Sequence, residues 1–264
     1  MKIEPIVPDD LGRIEKLQPE GWLPVLPFFR FYISSSFCHP VKCVIEKEIA
    51  GIGASIRHTN TGWVAHIIVD KEFRRQGIGT AITQALIDHL KDQKIDTIHL
   101  VATVIGAPLY HKLGFQQEAE YLFFKEGKIA PSQGTAIKQF EAIYRQDILA
   151  LDRHVSGEDR AELLEPHLQH SKIIAANNSL LGFYMPTLGE ELILARTPEA
   201  GLELMRARSH EKIYIALPSA NKPGIEFLRS NGYVEYRKGI RMYLGKQTSW
   251  HPEMIYSRIG GNLG

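Results

Sequence analysis

The alternation of apolar and polar positions predicts that the first half of the chain is built from both strands and helices. Strand-like runs cover 2–7, 42–46, 50–57, 63–69, 97–102 and 115–125. Helix-like segments cover 9–17, 24–31, 78–90 and 107–113. The helix predicted at 78–90 has its apolar residues on one face, as expected for a helix packed on a sheet. Because a strand precedes this helix and another follows it, we expect a crossover between two parallel strands.

The second half repeats the end of this pattern. Asn231-Gly232-Tyr233 mirrors Leu113-Gly114-Phe115, and both triplets lie between a short predicted helix and a strand-like run. Further strands are predicted at 172–176, 180–184, 211–216 and 234–244, with helices at 157–168 and 197–208. A linker-like composition at 127–135 separates the halves. We therefore predict two copies of one module, at 1–127 and 136–264.

The segment Arg74-Arg75-Gln76-Gly77-Ile78-Gly79-Thr80 lies between a predicted strand and a predicted helix. A glycine-containing turn that opens a helix presents free backbone N–H groups to an anion, and two arginines add positive charge. The turn is therefore predicted to bind a pyrophosphate. It is not a P-loop, which needs Gly-Lys-Ser/Thr, and Ile82 replaces the third glycine of a dinucleotide-binding turn. An ordinary strand-to-helix turn with surface arginines is the alternative.

The spacing Arg-x-x-Gly-x-Gly after Ile67-Ile68-Val69-Asp70 resembles the acetyl-coenzyme A (acetyl-CoA) signature of the GNAT superfamily of N-acetyltransferases. The later segment Leu109-Tyr110-His111-Lys112-Leu113-Gly114-Phe115 is similar to another GNAT motif, in the expected order. Over nearly its full length, the chain further resembles a bacterial group with two fused GNAT modules. The resemblance implies an α/β (α+β) fold of two tandem modules, each a mixed, mostly antiparallel sheet flanked by helices.

The resemblance also implies which residues of the first module hold acetyl-CoA. Backbone groups of three strand residues would hold the pantetheine arm: Ile67, Ile68 and Val69. The pyrophosphate would lie on the loop residues Arg74, Arg75, Gln76, Gly77, Ile78, Gly79 and Thr80. Thr103 stands where many members have an asparagine that contacts the cofactor, so this side-chain contact is not expected here.

The family implies direct attack of an amine on the acetyl thioester. Tyr110 matches the tyrosine that often protonates the departing thiolate, and the alternative is a tyrosine that only packs the helix on the sheet. His66 is the nearest candidate for the general base, with an ordinary pKa suited to neutral pH. His99 and Glu46 are weaker candidates, and a chain of water molecules is a further alternative. A purely structural role is the alternative interpretation of His66.

The second module departs from the motif. Its corresponding loop, Ala195 to Leu202, retains one glycine and contains Glu199, whose carboxylate would repel a phosphate. Leu228 stands in the place of Tyr110, and leucine cannot transfer a proton. We expect 136–264 to bind no acetyl-CoA productively and to shape the acceptor site of the first module.

Composition limits the partners. A net charge of +1 gives no general attraction to nucleic acid or to anionic membranes, and no apolar run approaches the ~20 residues that span a bilayer. No zinc-type spacing accompanies Cys38 and Cys43, so no metal is expected. The start of the chain has no apolar signal core, and we expect a cytoplasmic protein that acetylates a small-molecule amine. A non-catalytic acetyl-CoA sensor and an enzyme for longer acyl chains are alternatives, and the oligomeric state is open.

Overall fold

The computed structural model describes residues 1–131, 136–208 and 214–264. Parts of the predicted linker (132–135) and of the strand predicted at 211–216 (211–213) lie outside the described residues.

The first half contains six strands and four α-helices. The strands are β1 (Lys2–Pro5), β2 (Cys38–Ile45), β3 (Glu48–Arg57), β4 (Gly62–Val69), β5 (Thr97–Ala102) and β6 (Gln116–Lys125). The helices are α1 (Leu11–Ile14), α2 (Leu26–Ser34), α3 (Ile78–Asp92) and α4 (Ala107–Lys112). Short 3-10 turns flank α1, so the segment predicted as a helix at 9–17 is α-helical only at Leu11–Ile14.

The described residues of the second half contain seven strands and four α-helices. The strands are β7 (Ile137–Gln139), β8 (Lys172–Ala176), β9 (Ser179–Met185), β10 (Leu192–Ala195), β11 (Ile215–Pro218), β12 (Val234–Gly245) and β13 (Ile255–Ser257). The helices are α5 (Arg145–Ser156), α6 (Ala161–Leu164), α7 (Pro198–Arg206) and α8 (Lys222–Ser230).

The two halves share one sheet. Its strand order is β1-β2-β3-β4-β5-β12-β6-β11, while a second sheet has the order β13-β10-β9-β8-β7. Strand β12, from the second half, therefore lies between β5 and β6 of the first half, and β11 pairs with β6. The two modules exchange strands, which the sequence did not predict.

The predicted fold class is confirmed, because helices flank two sheets that are mostly antiparallel. The expected parallel pair is β4 with β5, where Gly62 lies opposite Ile98 and Trp63 opposite His99. The other strand pairs among the described residues are antiparallel.

The largest apolar core also joins the halves, because Phe29 and Ile52 of the first half pack in one cluster with Ile148 and Phe183 of the second. A separate cluster holds α3 against the first sheet. Helix α5 was not predicted, although Ile148, Leu151 and Val155 bury one face of it. The helix predicted at 157–168 is instead the short α6 followed by a 3-10 segment, Glu165–His170.

Candidate active site

Strands β4 and β5 separate to form a cleft. In the described chain they pair only at Gly62 and Trp63, the first residues of β4. Further along β4 the register to β3 shifts between Ala65 and Ile68, and His66 has a φ of +52°. A bulge of this kind bends a strand and re-aims its side chains. The backbone of the last part of β4 therefore faces the opening between the two strands.

The three strand residues predicted to hold the pantetheine arm face alternate sides. A Cβ at Gly53 would lie 2.6 Å from Ile67 Cδ1, so Ile67 packs on the α3 side, where Val69 also packs. Ile68 is buried in the cluster on the opposite side of the sheet. The side chains of these three residues are therefore used in packing, and their main-chain groups are available to a ligand in the cleft.

The loop before α3 has the backbone of an anion-binding turn. Arg75 and Gly77 have φ of +62° and +79°, and a Cβ at Gly77 would meet nothing within 4 Å. Ala81 N donates to Gly77 O over 2.9 Å, which is the first i→i−4 hydrogen bond of α3. The N–H groups of the three residues before it, Ile78, Gly79 and Thr80, therefore have no helical acceptor. These donors and the exposed arginines fit a diphosphate.

The two glycines of this loop are required for different reasons. Gly77 supplies a left-handed conformation in open space. Gly79 allows close packing, because a Cβ there would lie 3.3 Å from Leu109 Cδ1 and 3.6 Å from Val69 Cγ2. The start of α3 is thereby packed beside α4, which carries Tyr110.

Tyr110 is half-buried on α4, and its ring meets Phe115 edge-on with centroids 5.9 Å apart. Burial raises the pKa of Tyr110 to about 12, so the phenol keeps its proton throughout the neutral range. Thr103, at the end of β5, accepts a hydrogen bond from Gly106 N over 3.0 Å and so holds the turn before α4. The side chain of Thr103 therefore has a local structural partner.

His66 lies among aromatic rings on the α2 side of the sheet. Its centroid is 4.8 Å from that of Phe28 and 6.3 Å from that of Trp22, which is 38% exposed. Burial lowers the pKa of His66 to about 4. A group with this pKa is a weak proton acceptor near neutrality, so the environment does not favour the predicted role of general base.

The weaker candidates for the base lie elsewhere. His99 is fully buried against Trp63, with ring centroids 5.3 Å apart, and its pKa is lowered to about 3 by burial and by Arg241. Glu46 lies in the turn between β2 and β3.

Two residues near His66 were missed from the sequence. Tyr32 OH lies 2.8 Å from His66 Nδ1, and Asn262 Nδ2 donates to Tyr32 OH over 2.7 Å. Asn262 is separated from Tyr32 by 230 positions, and no motif marks either residue. Only the three-dimensional contact identifies them.

In the second module the corresponding cleft is filled by protein. Strand β10 holds the place of β4, because it follows β9 and precedes α7, and its free side pairs with β13 at Ile193 and Leu194. The ring of Tyr256 covers α7, since a Cβ at Gly201 would lie 2.3 Å from it. Thr197 Oγ1 accepts from Ala200 N and so uses one of the helix-terminal donors. Among the residues that the structure describes in this module, no opening like that beside β4 remains.

The backbone also confirms which residue replaces the tyrosine. Phe115 N donates to Tyr110 O over 3.0 Å, and Tyr233 N donates to Leu228 O over the same distance. Leu228 is fully buried in the core of the second module.

Neither a metal site nor a membrane span was found in the parts of the chain that the structure describes. Within 1–131, 136–208 and 214–264, no three His, Cys, Asp or Glu side chains are grouped so that they could hold a metal ion. The helices of these ranges are too short or too polar to cross a bilayer.

Comparison with known families identifies the class of protein. Two protein-family profiles, each described as an acetyltransferase (GNAT) domain, match the chain. One matches residues 29–128 and the other 148–257. Together they cover most of its length. The chain therefore belongs to the GNAT acetyltransferases and carries two such domains in tandem.

Two curated relatives are similar to part of the chain. The uncharacterized N-acetyltransferase YitH of Bacillus subtilis is 31% identical over 124 residues, which are 44% of this chain and 43% of the relative. N-alpha-acetyltransferase 30 of Dictyostelium discoideum is 32% identical over 118 residues, 41% of this chain and 62% of the relative. The matched regions span less than two thirds of either relative.

Solved structures share the complete fold. An acetyltransferase-like protein from Pyrococcus horikoshii superposes with a TM-score of 0.84 and 20% identity, covering 100% of this chain and 95% of the other. A GCN5-related N-acetyltransferase from Sphaerobacter thermophilus gives a TM-score of 0.66 and 13% identity, covering 94% and 97%. At these identities the likeness concerns the fold alone.

Proposed function

We propose that the protein is an N-acetyltransferase that moves an acetyl group from acetyl-CoA to the primary amine of a small molecule. The observation that carries this proposal is the loop of residues 75–80, whose left-handed Gly77 and free helix-terminal N–H groups lie at the end of the β4–β5 cleft. GNAT enzymes use acetyl-CoA, and the residues present fit its diphosphate and its extended arm.

Acetyl-CoA, when bound, supplies an acetyl group activated as a thioester. The backbone N–H groups of residues 76–80 would bind its diphosphate, with Arg74 and Arg75 adding positive charge. The main chain of Ile67, Ile68 and Val69 would hold the pantetheine arm at the edge of β4.

Tyr110 is proposed to give a proton to the leaving sulfur. Its pKa of about 12 keeps the phenol protonated, and its ring is fixed against Phe115 on a helix that touches the start of α3. A phenol held in this way can donate without needing to titrate near neutrality.

The acceptor is proposed to enter from the side of His66 and Trp22. Residue Asn262 of the second module reaches this wall of the cleft, which supports a role for residues 136–264 in shaping the acceptor site of the domain at 1–127. An acceptor site walled by residues of both modules favours a small molecule. A peptide N-terminus is the second candidate, because one curated relative is named an N-alpha-acetyltransferase.

We further propose a cytoplasmic location without nucleic-acid or membrane partners. Cys38 and Cys43 are both free thiols, which suits a reducing compartment, and the net charge is only +1. A location where acetyl-CoA is made and used fits the same proposal.

The test is a screen of amines and short peptides that follows release of the coenzyme A thiol from acetyl-CoA. Amino acids, amino sugars, polyamines and peptides would form the panel. The proposal expects at least one small amine to be acetylated with turnover well above hydrolysis. A protein that binds acetyl-CoA but acetylates nothing in the panel would instead be a sensor. Faster turnover with longer acyl thioesters would show that the donor is a longer acyl-coenzyme A.

A further inference from the structure

Residues 258–264 cross from the second module to the first. Strand β13 anchors this segment by pairing with β10 in the filled cleft of the second module. Beyond it, Leu263 O lies 3.1 Å from His58 Nε2, and Asn262 Nδ2 donates to the phenol of Tyr32. Asn262 is 5% exposed and Tyr32 is fully buried, so solvent does not compete for this contact.

The phenol of Tyr32 has a single proton to donate. Its oxygen accepts from Asn262 over 2.7 Å and lies 2.8 Å from His66 Nδ1. A buried hydroxyl that left its proton unused would lose a hydrogen bond without gaining one from water, which is unfavourable. Tyr32 therefore donates to His66 Nδ1, and this nitrogen is the acceptor.

This direction fixes the tautomer of His66. When Nδ1 accepts, the neutral ring carries its proton on Nε2. Burial lowers the pKa of His66 to about 4, so the ring stays neutral at pH 7. Nε2 has no hydrogen-bond partner among the described residues and is absent from their buried unpaired atoms, so it is open to the half-exposed side of the ring.

We propose that Asn262 is a positioning residue that, through Tyr32, makes His66 present an N–H donor to the acceptor. This inference rests on the proposed function and makes the acceptor site more specific. A donor beside the apolar rings of Phe28 and Trp22 matches an amine that carries a carbonyl or carboxylate oxygen next to its amino group. A polyamine, which has no such oxygen, would leave the donor unpaired.

The first test is ¹⁵N NMR of the full chain with labelled histidine, which distinguishes protonated from bare ring nitrogens. The chain has 11 histidines, and His66→Gln assigns the signal. The wild type is expected to carry the proton on Nε2 of His66. In Asn262→Asp the carboxylate can only accept, so Tyr32 must donate to it, and the proton of His66 is expected to move to Nδ1. Asn178→Asp, in an exposed turn, is the matched control and should leave the tautomer unchanged.

Tyr32→Phe provides a second variant in case the buried aspartate prevents folding. It removes the shared hydroxyl, and the His66 signal is then expected to show a mixture of tautomers. A wild-type proton on Nδ1, or an Nε2 proton that survives both substitutions, would overturn the inference.

The second test compares an amino-acid amide with the alkylamine that lacks only its carboxamide. Wild-type enzyme should prefer the amide at least tenfold in kcat/KM, and Asn262→Asp, which moves the proton of His66 to Nδ1, should lose that preference by raising the acceptor KM while the KM for acetyl-CoA stays within twofold. Equal use of both amines by the wild type would contradict the inferred acceptor class. If the tautomers are as expected but no amine is acetylated, the positioning of His66 by Asn262 and Tyr32 would stand. The proposed function and the inferred acceptor class would then be overturned.

Discussion

Met242 of β12 lies opposite Leu100 of β5, so a residue of the second half completes the sheet of the first. Its side chain is fully buried in the same cluster as Ile82 and Leu86, which belong to α3. Strand exchange makes the two GNAT domains structurally dependent on each other. The structure of the first domain's β4–β5 cleft therefore relies on residues more than a hundred positions away.

The first prediction concerns this dependence. Met242→Ala should lower the free energy of unfolding by about 2–5 kcal/mol, because it leaves a cavity in a packed core. The loss should appear in one cooperative transition, measured by denaturant titration with both far-UV circular dichroism and tryptophan fluorescence. Met205→Ala, in the core of the second module, is the matched control and should weaken the same single transition. Two separate transitions, each sensitive to one variant, would show independent domains.

The second prediction concerns Tyr110, the proposed proton donor. Tyr110→Phe keeps the ring against Phe115 and removes only the hydroxyl. On any amine found in the screen, kcat should fall about 10²–10⁴-fold, the range typical of a lost general acid. The Kd for acetyl-CoA should change less than threefold. Tyr243→Phe, a partly exposed tyrosine bonded to Gln116, is the control and should keep full activity. Unchanged kcat in Tyr110→Phe would remove this residue from the mechanism.

The third prediction concerns pH and stability. Burial lowers the pKa of His99 to about 3, whereas the unfolded chain has an ordinary histidine pKa near 6.5. Between these values the unfolded state binds more protons, so stability falls as the pH is lowered from about 6.5. His99→Gln cannot take up the proton and should give a flatter decline between pH 6.5 and 4.5 in denaturant titrations. The exposed control His170→Gln should follow the wild type. Parallel curves for His99→Gln and wild type would contradict this account.

The fourth prediction concerns the second module. Leu228→Tyr places a phenol where the first module has Tyr110, but β13 still fills the cleft beside β10. The number of acetyl-CoA sites per chain should remain one in equilibrium dialysis, provided that the variant retains the wild-type circular dichroism spectrum. A second site in this variant or in the wild type would show that the cleft is open.

Local signals in the sequence were sufficient for most elements. The apolar stripe of α3 and the glycine after α4 predicted both helices to within two residues. Strand exchange could not be predicted in this way, because β12 has the same alternating pattern whichever sheet it joins. The same limit applies to the site: the loop at Gly77 has a local motif, whereas the contact of Asn262 with Tyr32 depends on tertiary structure alone.

The measurement that tests the central claim most directly is calorimetric titration of acetyl-CoA into the wild type, Gly77→Asp and Gly232→Asp. Both glycines have a φ of +79° and open space around them, so the substitutions impose similar backbone strain. Only Gly77 lies in the proposed diphosphate loop. We predict one site per chain in the wild type and in Gly232→Asp, and at least a hundredfold weaker binding in Gly77→Asp. No binding to the wild type, or undiminished binding to Gly77→Asp, would contradict the account.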